Sequence, residues 1–157
     1  MISIAAGMDE FDIVQEIRFE RQVHKGSFLL LEGAEDLKRF TRFTDEKLCS
    51  TVNCFGRSNL INAIKLLYED GFAGALGLAD ADFDRLTGSL ETHEGLIYSD
   101  AHDFDMDWAC QQTLHRYLQE VGDPGKCMAA GNAPGIAAMV FGAVKPLSIL
   151  RLSLIHI

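Results

Sequence analysis

The sequence predicts an α/β sandwich in which helices flank a mainly parallel sheet of four strands. Short apolar runs of strand length alternate with amphipathic stretches of helical period, and turn residues separate them. This alternation is typical of parallel sheets, because two parallel strands need a long crossover connection that is usually a helix. The chain has 157 residues, 48% of them hydrophobic, which suits one domain with its own core.

The first half of the chain contains two strand–helix units. Residues 9–22 are predicted to form a helix, and the apolar run 28–31 a strand buried on both faces. A helix with Asp36 in its first turn follows. The second unit has a strand around 52–54 and a helix over 60–68, for which Ser58 is the predicted N-cap.

Two further apolar strands are predicted at 73–79 and 96–98. A helix over 105–120 follows the fourth strand, and the turn residues 122–125 end it. Residues 134–150 are predicted to be helical, with a break around Pro146.

The last six residues, 152–157, resemble the translation of a sequencing adapter. We therefore expect one domain over 1–151 that is truncated at its C-terminus, and we exclude 152–157 from fold reasoning. An edge strand is the alternative, since the tail alternates in polarity.

No uninterrupted apolar stretch reaches the roughly 20 residues of a spanning helix, and the N-terminus lacks the order of a signal peptide. The expectation is a cytoplasmic protein that does not associate with a membrane. The four cysteines have neither zinc-ligand nor redox spacing, so we interpret them as reduced, partly buried thiols: Cys49, Cys54, Cys110 and Cys127.

The negative charge of the chain is concentrated in one stretch. Residues 80–107 contain nine carboxylates and one base, Arg85, so this stretch has a net charge of −8. The whole chain has a net charge of −9. Such a cluster repels itself unless solvent separates its members or a cation neutralises them. Without a long basic run, the chain does not resemble a self-sufficient nucleic-acid binder.

Acidic residues follow three of the predicted strands. Glu32 closes the first strand, Asp80 and Asp82 close the third, and further acids including Asp105 follow the fourth. Ligands of parallel sheets bind beyond the carboxyl ends of the strands. In an extended turn Asp80 and Asp82 would point the same way and reach one cation, with Mg²⁺ or Mn²⁺ as the ion that prefers such oxygens.

Some of these acids also suit a purely structural role. Asp103 and Asp107 lie where carboxylates complement the N-terminus of a helix. The histidines are scattered singly, and of them only His102 lies within the acidic loop.

The order of the motifs resembles that of Toprim domains, which implies a Toprim-like (Rossmann-like) sandwich over residues 1–151. Residues 30–36, Leu-Leu-Glu-Gly-Ala-Glu-Asp, resemble the hhEGxxD opening, and Asp80-Ala81-Asp82 resembles the DxD motif. Residues 54–59 resemble the glycine turn between them. Residues 99–105 resemble a Thr/Ser-Asp-x-His/Tyr-Asp-x-Glu segment, with Asp105 where a glutamate is expected. This set is similar to a Toprim-like family of unknown-function proteins in prokaryotic phage-defence loci, related to overcoming-lysogenization-defect nucleases.

The resemblance implies metal-dependent cleavage of RNA or DNA, controlled by an ABC-type ATPase partner. By analogy Glu32 acts as general acid/base or metal ligand, Asp80 and Asp82 act as catalytic metal ligands, and Asp36 and Asp105 complete a second metal position. The substrate-binding residues are then Gly33, Gly56, Arg57 and Ser58. Oligomerisation is left open.

Two other functions compete with the nuclease. A catalytically degenerate binding module that docks on an ATPase or toxin is favoured by Asp105 and by the missing basic run. Phosphoryl transfer of the haloacid-dehalogenase type is disfavoured, because its aspartate motif belongs on the first strand.

Overall fold

The computed structural model describes residues 7–110 and 112–155, which form two compact units. The first, called the sheet unit, comprises the described residues up to Asp80 together with Leu90–Ser99. The second, called the helical unit, comprises Ala81–Ser89 and the described residues from Asp100 onward. The expectations for residues 156 and 157, and for the side chain of Cys110, lie outside the described part.

The sheet unit contains four parallel strands, as predicted. The strands are β1 (Ser27–Leu31), β2 (Cys49–Asn53), β3 (Ala75–Ala79) and β4 (Leu96–Tyr98). Their spatial order is β2-β1-β3-β4, and every neighbouring pair is parallel. The chain leaves β1 toward one side to form β2 and then crosses to the other side to form β3. The strand order therefore reverses between β1 and β3, the switch point at which such sheets bind ligands.

Three helices accompany the sheet: α1 (Glu10–Glu20), α2 (Ala34–Phe40) and α3 (Arg57–Glu69). A capping box between Asp9 and Asp12 fixes the start of α1. The predicted N-cap Ser58 is wrong, because α3 begins at Arg57 and its N-cap is Gly56, two residues before Ser58. The backbone of Gly56 has φ +133°, which a residue with a Cβ rarely adopts.

The core lies between α1, α3 and one face of the sheet. Its fully buried large side chains include Ile13 and Ile17 of α1, Phe28 and Leu30 of β1, and Leu60, Ile64 and Leu67 of α3. Gly77 of β3 allows this close approach. A Cβ on Gly77 would lie 2.8 Å from Leu60 Cδ2, 2.9 Å from Ile64 Cγ1 and 2.9 Å from Leu96 Cδ2.

The opposite face of the sheet is covered at β1 and β2 by α2 and the 3-10 turn Thr41–Phe43 that follows it. Thr41 Oγ1 lies 3.2 Å from Thr51 Oγ1 of β2, next to Leu29 in the register of the sheet. Leu31 is fully buried and Leu29 partly buried. The continuous apolar run of β1 is thus explained by burial on both faces.

The helical unit contains five helices in its described residues: α4 (Asp84–Thr87), α5 (Phe104–Cys110), α6 (Gln112–Val121), α7 (Pro124–Ala129) and α8 (Asn132–Ile155). The helix predicted over 105–120 corresponds to α5 and α6. Asp123 caps α7 by accepting a hydrogen bond from Lys126 N at 2.9 Å, and Pro124 takes the first helical position.

Helix α8 differs from prediction at Pro146, where it continues without a break. The proline ring crowds the carbonyl of Gly142, four residues earlier. Nothing lies within 4 Å of a Cβ added to Gly142, so the backbone there has room to adjust. Residues 152–155 also belong to α8, so the alternative of an edge strand is wrong for these residues.

The sheet unit is an α/β fold of the soluble type, whereas α8 is unusually apolar. Within the described ranges one helix, spanning Asn132–Leu154, is long and apolar enough by length and composition to cross a membrane, with a mean hydropathy of 1.6. None of that window is buried. Lys145 and Arg151 interrupt it, which is why the sequence contains no uninterrupted apolar stretch of that length.

The close packing at Gly77 yields a stability prediction. We expect Gly77→Ala to lower the free energy of unfolding by about 1–3 kcal/mol, because the added methyl group must displace three core side chains. Gly142→Ala is the control, since its methyl group meets open space in a helix and should be neutral or stabilising by about 0.5–1 kcal/mol. Urea unfolding followed by circular dichroism measures both. A Gly77→Ala protein as stable as wild type would contradict the packing.

Candidate active site at the carboxyl edge of the sheet

Two carboxylates occur at the switch point of the sheet. Glu32 directly follows β1, and Asp80 directly follows β3, the strand beside it. Glu32 Oε1 accepts a hydrogen bond from the backbone N–H of Asp80 at 2.8 Å. Both residues are half-buried. The Glu32 side chain thus joins the ends of two strands whose sequence positions are 48 residues apart.

The turn after β2 wraps around the end of β1. Cys54 N–H donates to Leu31 O at 2.9 Å, and Gly56 N–H donates to Glu32 O at 2.8 Å, so the pairing of β1 with β2 continues past both strands. Asn53 Oδ1 accepts from Phe55 N at 3.1 Å and stabilises the turn, in which Phe55 has φ +54°. These bonds hold the start of α3 beside Glu32.

Arg57 brings a positive charge to the same edge. It is the first residue of α3, and its Cζ lies 5.5 Å from the ring centre of Tyr98, the last residue of β4. Because Gly56 is bonded to Glu32 at the end of β1 and Tyr98 ends β4, this contact reaches across the position of β3, the strand between them. Ser58, in the first turn of α3, is exposed. Tyr98 was not among the predicted site residues, although its place at the end of a predicted strand was a usable signal.

Gly33 and Asp36 lie at the start of α2, next to Glu32. Gly33 is the N-cap of α2, and no side chain caps it. Asp36 Oδ2 lies 3.9 Å from the position of a Cβ on Gly33, so its carboxylate is close to the N-terminus of the helix. Asp36 Oδ1 also lies 3.8 Å from Arg39 Nη1 within α2.

Asp82 belongs to the helical unit, whereas Asp80 belongs to the sheet unit. The expectation of an extended turn is wrong at Asp82, because its backbone is left-handed, with φ +46°. Its N–H donates to His102 O at 2.7 Å, and its Oδ1 lies 3.7 Å from His102 Nε2. The His102 ring packs against Phe83 with 4.6 Å between ring centres. A non-glycine residue in this conformation carries strain that the surrounding contacts must offset.

The remaining acids of the stretch 80–107 mostly bind backbone N–H groups, hydroxyls or a lysine. Asp103 Oδ1 accepts from Met106 N at 2.7 Å in the first turn of α5, as predicted for a helix N-terminus. Asp107 instead binds the preceding loop, where it accepts from Asp100 N at 2.9 Å and Ala101 N at 2.5 Å. Two more acids have side-chain partners: Asp84 accepts from Ser89 Oγ, and Glu91 pairs with Lys65. Asp105 is exposed in the first turn of α5.

The five predicted metal ligands do not form one closed cage in the described part of the chain. No group of three or more His, Cys, Asp or Glu side chains within these ranges is arranged to hold a metal ion. Glu32 and Asp80 come together, Asp36 lies near Arg39, and Asp82 and Asp105 belong to the other unit. Two carboxylates still fit Mg²⁺, which takes one or two from the protein and completes its shell with water and phosphate oxygens.

Two side chains near the site, Cys54 and Glu35, have shifted pKa values, and neither shift indicates a catalytic role. Burial raises the pKa of the Cys54 thiol to about 12, so this free cysteine stays neutral and unreactive at physiological pH. The hydrogen bond from Lys38 Nζ, at 2.6 Å, lowers the pKa of the exposed Glu35 carboxyl. Glu35 therefore stays ionised in a pair that lies in solvent, three residues from Glu32.

The fold and this edge define an α/β protein with a Rossmann-like parallel sheet whose switch point carries two carboxylates and an arginine. Comparison with protein-family models, with curated proteins and with solved structures gave no match. The function is therefore argued from the site.

The hydrogen bond of Glu32 predicts different stabilities for two substitutions. Glu32→Ala should lose about 1–3 kcal/mol of unfolding free energy, because the N–H of the half-buried Asp80 loses its charged acceptor. Glu32→Gln keeps an oxygen at the same place and should stay within about 0.5 kcal/mol of wild type. Urea unfolding checks both, and equal stability of the two variants would show that the bond is unimportant.

The left-handed backbone of Asp82 predicts a second difference. Asp82→Gly should be about 1 kcal/mol more stable than Asp82→Ala, because both variants lack the carboxylate and only glycine adopts this φ without strain. Thermal unfolding of the two variants under identical buffer conditions measures the difference. If the alanine variant is the more stable, the turn is not held in this conformation.

Proposed function

We propose that this protein is a divalent-metal-dependent nuclease that hydrolyses phosphodiester bonds in RNA or DNA. The observation that carries the proposal is the pair Glu32 and Asp80, joined by a hydrogen bond at the switch point of a parallel sheet. The order of motifs that resembles Toprim domains supports the same chemistry. It also favours a role in prokaryotic anti-phage defence, in the cytoplasm, under the control of an ABC-type ATPase.

The carboxylates of Glu32 and Asp80 would hold Mg²⁺ or Mn²⁺. Such an ion, when bound, polarises the phosphate and lowers the pKa of a water molecule. The hydrogen bond to Asp80 N–H fixes Oε1 of Glu32 and so orients its carboxylate, which suits it to bind the metal or to accept a proton from the attacking water. The protein's part is thus to orient these groups before the substrate arrives.

The start of α3 supplies groups that bind phosphate. Its N-cap, Gly56, has no side chain to occupy the N–H groups of the first turn, and an anion is stabilised at such a helix end. Arg57, held beside the strand ends by its contact with Tyr98, adds a positive charge suited to a phosphate oxygen. These contacts would place the scissile phosphate next to Glu32.

The charge of the chain supports the proposal of a partner. Nucleic-acid binding depends on neutralising phosphates with Lys and Arg, whereas this chain has a net charge of −9. Among the described residues assigned to the proposed site, Arg57 is the one basic side chain. An ATPase partner with a basic surface would supply the missing attraction.

A specific observation favours a second candidate, the binding module without catalysis. Asp82 faces His102, and Asp105 is an exposed residue of α5 in the position where the related motif has glutamate. If these acids contribute no metal ligand, only the pair at the switch point remains. The same fold would then dock on an ATPase or toxin without cutting.

Cleavage assays with isosteric variants test the proposal. The chain, expressed with any ATPase that is encoded beside it, is incubated with labelled single-stranded RNA or duplex DNA and Mg²⁺ or Mn²⁺. Glu32→Gln and Asp80→Asn should each reduce metal-dependent cleavage at least ~100-fold, the scale of lost acid–base or metal catalysis. Stability should change little, because both substitutions preserve shape.

Glu35→Gln is the matched control, since it makes the same chemical change three residues from Glu32 on a carboxylate that lies in solvent. Its activity should stay within about twofold of wild type, as expected for a surface substitution. Mn²⁺ binding followed by electron paramagnetic resonance gives a second readout, which Asp80→Asn should weaken and Glu35→Gln should not. A folded wild type that binds its partner but does not cleave with either metal would move the binding module ahead.

A further inference from the structure

Helix α8 exposes a continuous stripe of apolar side chains. The stripe consists of Met139, Val140, Ala143, Val144, Leu147 and Leu150, and it is called the α8 stripe below. Met139 is 67% exposed, Leu147 65% and Leu150 53%. We propose that the α8 stripe is an interface at which two copies of this chain pair through their α8 helices.

The spacing of the stripe is that of a helix-packing surface. Met139, Ala143, Leu147 and Leu150 follow one another at intervals of four, four and three residues, which keeps them on one side of a helix. Lys145 falls outside this side by the same periodicity, whereas Arg151, four residues after Leu147, lies on it at the C-terminal end of the stripe. Phe141, Ser148 and Leu152, which lie on the opposite side, are only half-exposed. The helix therefore has one covered face and one uncovered apolar face.

Neither a buried core helix nor a membrane-spanning helix fits α8 as well as a paired one. A core helix of a soluble protein is mostly buried, whereas none of the most apolar window of α8 is buried. A bilayer has a hydrocarbon core of about 30 Å, but residues 132–144, before Lys145, extend only about 20 Å as a helix. A charge at Lys145 would then lie within the hydrocarbon, which is costly.

The size and charge of the stripe fit a second copy of the chain. Its side chains offer on the order of 600 Å² of accessible surface, at the upper limit of what monomers usually expose in one patch. A symmetric pair would bury about 1,200 Å² in total, the lower bound of stable specific interfaces. The six side chains of the stripe carry no charge, and an antiparallel pair would place the Arg151 residues of the two copies at opposite ends of the interface. Self-association thus meets no electrostatic barrier at its centre.

Sedimentation equilibrium of the full chain by itself tests the proposal. Wild type should have twice the 17.3 kDa mass of one chain at micromolar concentration. The double variant Met139→Glu/Leu147→Glu should be monomeric, or have a dissociation constant raised at least ~100-fold, because two charges from each copy enter an apolar interface. Ile149→Glu is the matched control: it is 57% exposed on the same helix but outside the stripe, and it should remain a dimer.

A charge-pairing experiment separates lost contacts from misfolding. Val140→Lys/Leu150→Lys should also be monomeric alone, but mixing it with Met139→Glu/Leu147→Glu should restore a dimer, since opposite charges now meet. Unfolded chains would not regain specific pairing in this way. A wild type that stays monomeric at ~100 µM overturns the proposal, as does equal loss of the dimer in Ile149→Glu. Binding of monomeric wild type to phosphatidylcholine vesicles, lost in the glutamate variant, would assign the stripe to a bilayer instead.

Discussion

The packing of α3 against the sheet at Gly77 is the constraint on which the proposed site depends. Leu60 and Ile64 occupy the space that a side chain on Gly77 would fill, so α3 lies close to β3. This position places the first residue of α3, Arg57, at the carboxyl edge of the sheet, where it contacts Tyr98. A core contact that has no chemical function therefore decides where the charged groups of the edge meet.

The acidic stretch 80–107 and the proposed site coincide only in part. Most carboxylates of the acidic stretch bind backbone N–H groups or nearby side chains, as Asp103 and Asp107 do, so their charge is spread over fixed dipoles. These bonds stabilise a loop and a helix start. The pair that carries the proposal includes Glu32, which lies outside the stretch. Position at a switch point, more than local charge density, distinguishes it.

Much of the sheet was predictable, because its strands are short apolar runs and such runs are recognisable in the sequence itself. The site was predictable to the extent that parallel strands end at one edge, which placed Glu32 and Asp80 together. The bond between them was not predictable, since it requires knowing that β3 lies directly beside β1 in the sheet. The left-handed turn at Asp82, the start of α3 at Gly56 and the continuity of α8 through Pro146 depend on local backbone geometry that periodicity does not contain.

The proposed chemistry belongs to the sheet unit and the proposed self-association to the helical unit. The net charge of the chain bears on both. Pairing through α8 would leave the switch point of each sheet unit unchanged in composition. It would also double the negative charge of the particle, since each copy contributes −9. A dimer therefore cannot supply the basic surface that a nucleic acid needs, and self-association does not replace a partner of opposite charge. If the site cuts nucleic acid, attraction of the substrate would have to come from a basic surface outside residues 1–157, and each α8 dimer would contain two sheet units.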